Sequence, residues 1–467
     1  MNRIAGSICV LGMAVASAAM TVSAGAAEGP LLRLGIVSDS HCSFLHDPED
    51  RNTWGHQSTK TLQNAFTKFR EWGVDAVVHP GDLTNYGALK ELEATGTVWN
   101  RVFPDDLDAD GRKVEKLFVR GNHDKMGKEP DLDKLIRKDP AKAWKDVFGV
   151  DWYTEKVMLR QVKGYVFVLA DWEATKKDLD DFFTARENDL PKAKPFFFVC
   201  HAPPFGTVDP PQDEFGDRCG GDNIQCARWL KKFPNCIALT GHSHYSLTLG
   251  DQIWQEDFLS IGCGSLKYTE HRRGRDNSWS NEKDTKLHAK RCDSGRQGLY
   301  MRVYADRIVL ERWDFVNNEK VGPDHVVPLD GTRPYSWAEQ RRRARAPEFP
   351  ENAALAFEER DGRCCVLGGK WTPERQLWVV VPRAAECARD EGRVYEYECK
   401  VFAEGDEQPM LVRRELAGGY FLNDARVERR TIVPFGMDEL PAGKKFRFEV
   451  RAMDCWGNRS RPLVGCH

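Results

Sequence analysis

Beyond Val22 the sequence has no apolar run long enough to cross a bilayer, which excludes a helical membrane protein for the body of the chain. Neither sign of charge is in surplus. The formal net charge is -3, so composition offers no basic face to hold nucleic acid or an anionic surface, and no nucleic-acid partner is expected. Internal repeats and low-complexity tracts are absent, which removes solenoids and propellers. With 41% hydrophobic and 30% charged residues the chain also lacks the composition of a disordered protein. Its 467 residues are enough for two or three globular domains.

The start of the chain reads as a targeting segment. Arg3 is a positive start, Ile4 to Val22 is apolar and small, and Ala24-Gly25-Ala26 supplies a small-x-small cleavage site. Residues 1–27 are therefore expected to be a signal peptide, and the mature protein to be exported, periplasmic or secreted, with no membrane insertion after cleavage. A membrane anchor fits less well, because the run is rich in Ala, Gly and Ser and lacks a basic stop flank. Export makes disulfides possible. The late cysteines Cys364, Cys365, Cys387, Cys399, Cys455 and Cys466 are even in number, and pairing within them or burial as free thiols are both open.

Five polar clusters each follow a short apolar run. Asp39-Ser40-His41 follows Leu34 to Ser38, Gly81-Asp82 follows Val74 to His79, and Gly121-Asn122-His123-Asp124 follows Val114 to Arg120. His201 follows Phe196 to Cys200, and Gly241-His242-Ser243-His244 follows Cys236 to Thr240. Metal-ligating and acid/base groups thus recur at the carboxyl ends of predicted strands, where an α/β sheet opens its crevice to a ligand. Cys42 and Cys200 adjoin two of these histidines, but neighbours on an extended segment point to opposite faces and are not counted as ligands. His46, His56, His79, His271, His288, His325 and His467 lack partner spacing.

Helices are expected between the strands. Leu62, Ala65, Phe66 and Phe69 share one face of a helix capped by Ser58, Thr175 with Asp178 opens a second, and Asp222 to Pro234 bounds a third. The order of elements predicts an α/β fold, a two-sheet αββα sandwich over residues 28–330. A linker over 331–350, carrying Arg341-Arg342-Arg343, precedes an all-β region at 351–467. There Tyr395, Tyr397, Cys399 and Val401 alternate with charged residues, as do Phe446, Phe448, Val450 and Ala452. These strands predict a small β-sandwich, and truncation near Pro350 is expected to leave the first part folded. The run Phe446 to Pro462, with Asp454, Gly457 and Asn458 in its turn, resembles the last hairpin of fibronectin type III domains.

In order and approximate spacing the five clusters resemble the calcineurin-like metallophosphoesterase superfamily, whose motifs are Asp-x-His, Gly-Asp, Gly-Asn-His-Asp or Glu, a lone His, and Gly-His-x-His. The resemblance covers roughly Leu31 to Phe315. It implies one metal on Asp39, His41, Asp82 and His244, and a second on Asp82, Asn122, His201 and His242, with Asp82 shared. Carboxylate, amide and imidazole ligands suit two divalent transition-metal ions such as Mn, Fe or Zn. The implied reaction is phosphoester hydrolysis by a hydroxide held between the ions. His123 is left over as a general acid, with Asp124 to orient its ring. The purple acid phosphatase branch carries a metal-binding tyrosine three residues after the shared Asp, and Asn85 stands there instead.

A small-molecule phosphoester is the expected substrate. Asn85, Arg272, Arg273 and Arg275 are candidates to bind it, and a cationic loop tilts the expectation towards phosphomonoesters. A phosphodiesterase acting on cyclic nucleotides or other diesters is the alternative in the same superfamily. A surface binding protein with an inert metal domain is the alternative from another class.

Overall fold

The computed structural model describes residues 29–43, 54–126, 140–150, 155–208, 224–270, 295–366, 370–384 and 393–467. The expected signal peptide and Arg272, Arg273 and Arg275 lie outside them. Strands β1 (Leu32–Ile36), β2 (Ala76–His79) and β3 (Glu115–Phe118) open a first sheet. A second is built from β4 (Val157–Val162), β5 (Tyr165–Ala170), β6 (Phe196–Val199), β7 (Cys236–Thr240), β8 (Ile253–Gln255) and β9 (Leu259–Gly262). The chain then returns to the first with β10 (Gln297–Val303), β11 (Arg307–Asp314), β12 (Glu319–Lys320) and β13 (His325–Pro328). Strand order is β12-β11-β10-β1-β2-β3, with β13 on β11, and β4-β5-β6-β7-β9-β8. β1, β2 and β3 run parallel, as do β5, β6, β7 and β9.

Both faces of these parallel strands are buried, which explains their near-continuous apolar sequence. Ala76 and Val78 of β2 join Phe167 and Leu169 of β5 in a core between the sheets. Val77 faces outward to Leu62, Phe66 and Trp99 of the helices Trp54–Glu71 and Leu89–Val102. Val166 and Val168 face Leu179 and Phe183 of the helix Lys176–Arg186 on the other side. The result is a four-layer αββα sandwich. Thr175 caps the last helix as its sequence predicts, its hydroxyl accepting from Asp178 N–H at 3.2 Å. The helix Leu89–Val102 was not anticipated, because Thr95, Gly96 and Thr97 dilute its periodicity. Of the stretch expected to be helical from Asp222 to Pro234, the described residues contain the short helix Ala227–Leu230.

The rest of the described chain is antiparallel. β14 (Ala356–Val366), β15 (Lys370–Pro382) and β18 (Arg430–Gly436) form one sheet. The other has the order β17 (Leu411–Leu416), β16 (Val394–Ala403), β19 (Phe446–Asp454) and β20 (Leu463–Cys466). One core lies between them, where Leu377, Val379 and Val433 meet Tyr397, Val401, Phe448 and Val450.

This all-β unit is fastened to the α/β sandwich by hydrogen bonds and apolar contact. Arg393 Nη1 donates to the carbonyls of Tyr420 and Leu422 at 2.8 and 2.6 Å, and its Nη2 to Val321 O at 3.3 Å. Thr248 Oγ1 donates to Tyr420 O at 3.1 Å, and Gln297 Nε2 donates to Phe421 O. Leu249 packs within the β-sandwich core itself. The helix Trp337–Arg343, expected to be part of a solvated linker, buries Gln340, which donates to Ile253 O at 3.0 Å. Truncation at Pro350 would uncover Leu249 and strip partners from Thr248 and Gln297, so these contacts argue for a cost in stability. The truncated protein is expected to aggregate or to melt at least about 5 °C lower, since a few kcal/mol move a melting point by that much. An unchanged melting curve and unchanged turnover after truncation would count against an integral interface.

Candidate metal centre

The loops that leave β1, β2, β3, β6 and β7 meet at one edge of the sandwich. Three are tied directly: Asp39 N–H donates to Gly81 O at 3.0 Å, His41 N–H to Asp82 O at 2.9 Å, and His242 N–H to Asp39 Oδ2 at 3.0 Å. Asp39, His41, Asp82, His242 and His244 all have left-handed backbone, with φ between 43° and 67°. Each chain thereby turns sharply off its strand and aims a side chain back into the crevice. The turns need their glycines for room. A Cβ on Gly121 would overlap Asp82 Oδ1, and one on Gly241 would overlap Ser38 Oγ and crowd Asp39 Oδ2 at 2.5 Å.

Two groups of donors converge. His244 Nε2 stands 3.0 Å from Asp39 Oδ1 and 3.2 Å from His41 Nε2, and His41 Nε2 is 3.5 Å from Asp82 Oδ2. On the other side His201 Nε2 is 3.2 Å from Asp82 Oδ2, 3.9 Å from Asp39 Oδ1 and 3.1 Å from Asn122 Oδ1. Asp39 Oδ1 and Asp82 Oδ2 each reach both groups. His242 is in neither convergent set. Its ring lies 5.0 Å from that of His201 and 5.6 Å from Trp172.

These side chains suit cations. Asp39 is wholly buried, and although burial opposes its charge, His244 and His201 hold it well below the usual carboxylate range. Burial pulls on His201 too, yet the Asp82 and Asp39 carboxylates raise it to about 9. The anionic pocket therefore favours positive charge at this place, which a metal ion would supply. Among the described residues His41 Nδ1 and His244 Nδ1 are buried without hydrogen-bond partners. Their Nε2 atoms face each other across the first group, an arrangement a shared cation relieves.

Groups behind the donors fix their aim. His201 Nδ1–H donates to Pro80 O at 3.0 Å, leaving Nε2 for a ligand role. Gly81 N–H donates to His79 Nδ1 at 3.3 Å, so His79 Nε2–H donates to Ser40 Oγ at 3.0 Å, and Ser40 in turn to Leu83 O at 3.2 Å. Burial pushes His79 down to about 3, consistent with a neutral ring in this chain. Arg120, behind the Asn122 turn, is locked by Asp171 at 2.8 Å through two bonds and by Glu173 at 2.8 Å.

His123 stands at the mouth. Its ring lies edge-on to His41 at 4.4 Å, and Nδ1–H donates to Asn85 O at 2.7 Å, which leaves Nε2 to face the crevice. Asp124 does not orient that ring. Its oxygens accept from Thr84 N–H and Oγ1–H at 2.8 and 2.7 Å, Gly121 N–H at 2.9 Å and Leu83 N–H at 3.3 Å. Four donors claim the carboxylate, so it clamps the Asp82 loop to the Gly121 turn, and the orienting role passes to the Asn85 carbonyl. Burial, with the Asp82 charge behind it, pushes Asp124 up to about 6.

Residues 32–246 match the family model described as calcineurin-like phosphoesterase. The chain carries a calcineurin-like phosphoesterase domain. Its class is that of the metal-dependent phosphoesterases. No curated protein sequence matches the chain. Similar solved structures include a dimetal phosphatase from Danio rerio, at 14% identity and TM-score 0.39, covering 64% of this chain and all of that one. Another is a purple acid phosphatase from yellow lupin seeds, at 13% identity and TM-score 0.42, covering 65% of this chain and 56% of that one. At such values neither likeness bears on substrate.

Three side chains of the phosphoesterase site escaped the sequence reading. Trp172, at the carboxyl end of β5, has its ring 5.5 Å from His201. Tyr268 lies against His244 at 4.6 Å. Lys267, also in the loop after β9, donates from Nζ to Asn85 Oδ1 at 2.8 Å, and burial lowers its pKa to about 8 against the pull of Asp82 and Asp39. The available signal was positional: both loops follow short apolar runs, β5 and β9 of one sheet, at the same edge as the ligands.

Proposed function

We propose that this protein is an exported hydrolase of small phosphoesters that acts through two divalent transition-metal ions and favours phosphomonoesters. The convergence of Asp39, His41, Asp82, His201 and His244, with Asn122 Oδ1 beside His201 and His123 facing them, carries the reading. Bound ions would supply charge neutralisation at the phosphoryl group and an activated water. The chain's part is to hold its donors in fixed, partly strained loops, to bury the carboxylates away from solvent, and to present His123 Nε2 to the leaving oxygen. Protonated there, the ring can donate as the ester bond breaks, while the Asn85 carbonyl keeps Nδ1 engaged.

Export rests on Arg3, the Ile4 to Val22 run and Ala24-Gly25-Ala26. Among the described residues no helix is long and apolar enough to cross a membrane. The two-sheet, seven-strand arrangement of the all-β unit supports keeping the fibronectin III-like reading for it. The test is a panel of aryl phosphates, bis-aryl phosphates and cyclic nucleotides, assayed alongside metal analysis of the same preparation. Two ions per chain and the highest kcat/KM on an aryl phosphate are expected. Hydrolysis of none of them by metal-loaded protein would favour a binding role, and a preference for a diester would overturn the monoester reading.

A further inference from the structure

The metal crevice is lined by carboxylates and imidazoles, and a substrate dianion entering it needs positive charge beyond the ligands. Lys267 brings such a charge. It is mostly buried, an unusual place for an ammonium. Its Nζ is 2.8 Å from Asn85, whose carbonyl holds His123, and the next residue, Tyr268, lies against His244, so the ammonium stands beside the crevice mouth.

Its position is built rather than accidental. Leu266 N–H donates to Ser38 O at 3.0 Å, and Ser265 Oγ–H to Asp39 O at 3.3 Å, which pins the loop to the β1 turn. Lys267 N–H donates back to Ser265 Oγ at 3.0 Å, and Glu270 N–H to His244 O at 2.9 Å. Each end of the Lys267 segment is thus anchored to a turn that carries a proposed ligand. Asn85 completes the device, because one residue holds Lys267 through its side chain and His123 through its carbonyl.

We propose that Lys267, positioned by Asn85, binds a non-reacting phosphoryl oxygen of the substrate and sets the preference for monoesters over diesters. The inference rests on the phosphoester-hydrolase reading above. A monoester dianion offers one more anionic oxygen than a diester, and a fixed ammonium beside it gains a charge-assisted bond that the diester's ester oxygen cannot return.

The test compares wild-type protein with Lys267→Met and Lys267→Arg, metal-loaded, on an aryl phosphate and the matching bis-aryl phosphate, with inorganic phosphate as a competing ligand. In Lys267→Met, metal content is expected to stay at the wild-type level while kcat/KM for the monoester falls roughly 30- to 100-fold. The diester should change by less than about 3-fold, inhibition by phosphate should weaken in step with the monoester loss, and Lys267→Arg should recover most of both. Equal losses on both esters, no loss on either, or loss of metal would overturn the assignment and leave Lys267 a structural residue. Should wild-type protein prefer the diester, the monoester reading fails separately. Phosphate inhibition then decides for Lys267 alone: weakening supports its oxygen-binding role, and no change removes it. Lys267→Gln replaces the methionine variant if that one does not fold.

Discussion

Replacing Asp82 by alanine is expected to leave the chain without bound metal and to lower kcat/KM by at least about 10⁴-fold, the largest effect of any single change in the site. Asp82 Oδ2 reaches both groups, 3.5 Å from His41 Nε2 and 3.2 Å from His201 Nε2, as Asp39 Oδ1 does through His244 and His201. Without it the site would hold two cations against the Asp39 carboxylate alone among these donors, too little negative charge to offset their repulsion. Asp82 Oδ1 accepts from His123 N–H at 2.8 Å, so the substitution also frees a backbone donor, at about 1–3 kcal/mol of stability. Circular dichroism separates that local loss from global unfolding. Metal analysis of the folded variant is the deciding measurement, and wild-type occupancy of either ion would remove Asp82 from its shared role.

His123→Ala should behave differently. Metal content is expected to be unchanged, with kcat reduced roughly 10²- to 10⁴-fold, the usual range for a positioned general acid. The distinction is sharp here because His123 lies within ligand distance of His41 and Asp82, so ligation is a real competitor. Leaving groups provide a second reading. A poorly leaving alkyl alcohol needs a proton at the departing oxygen more than a nitrophenol does, so the alanine variant should lose more on the alkyl ester. A metal-free variant, or equal losses on both leaving groups, would show that His123 is not the acid.

Most of the α/β architecture was legible, for an identifiable reason. β2, β6 and β7 are four or five residues long and buried on both faces, so each appears as an unbroken apolar run with chemistry directly behind it. The ligand residues announced themselves by type. Lys267 did not, because its partners are set by bonds such as Ser265 to Asp39, 226 positions apart, and a lysine after a glycine-rich turn is ordinarily solvated. Asp124 misled by adjacency: next to an imidazole it resembles an orienting carboxylate, yet three backbone N–H groups and a hydroxyl claim it. The all-β unit was read correctly as strands, whereas its attachment through Arg393, Tyr420 and Phe421 depends on carbonyl positions that no side-chain pattern encodes.

The left-handed turns at Asp39, His41, Asp82, His242 and His244 tie the protein's durability to its surroundings. At roughly 1 kcal/mol or more apiece, five such residues hold on the order of 5 kcal/mol of torsional strain. Two ions at a hundredfold excess over their dissociation constants return about 2.7 kcal/mol each by mass action. The two quantities are of the same size. With two ions held as proposed, a chelator is expected to act on this chain as a denaturant directed at a single edge of the sandwich, and its melting temperature to gauge the free metal around it.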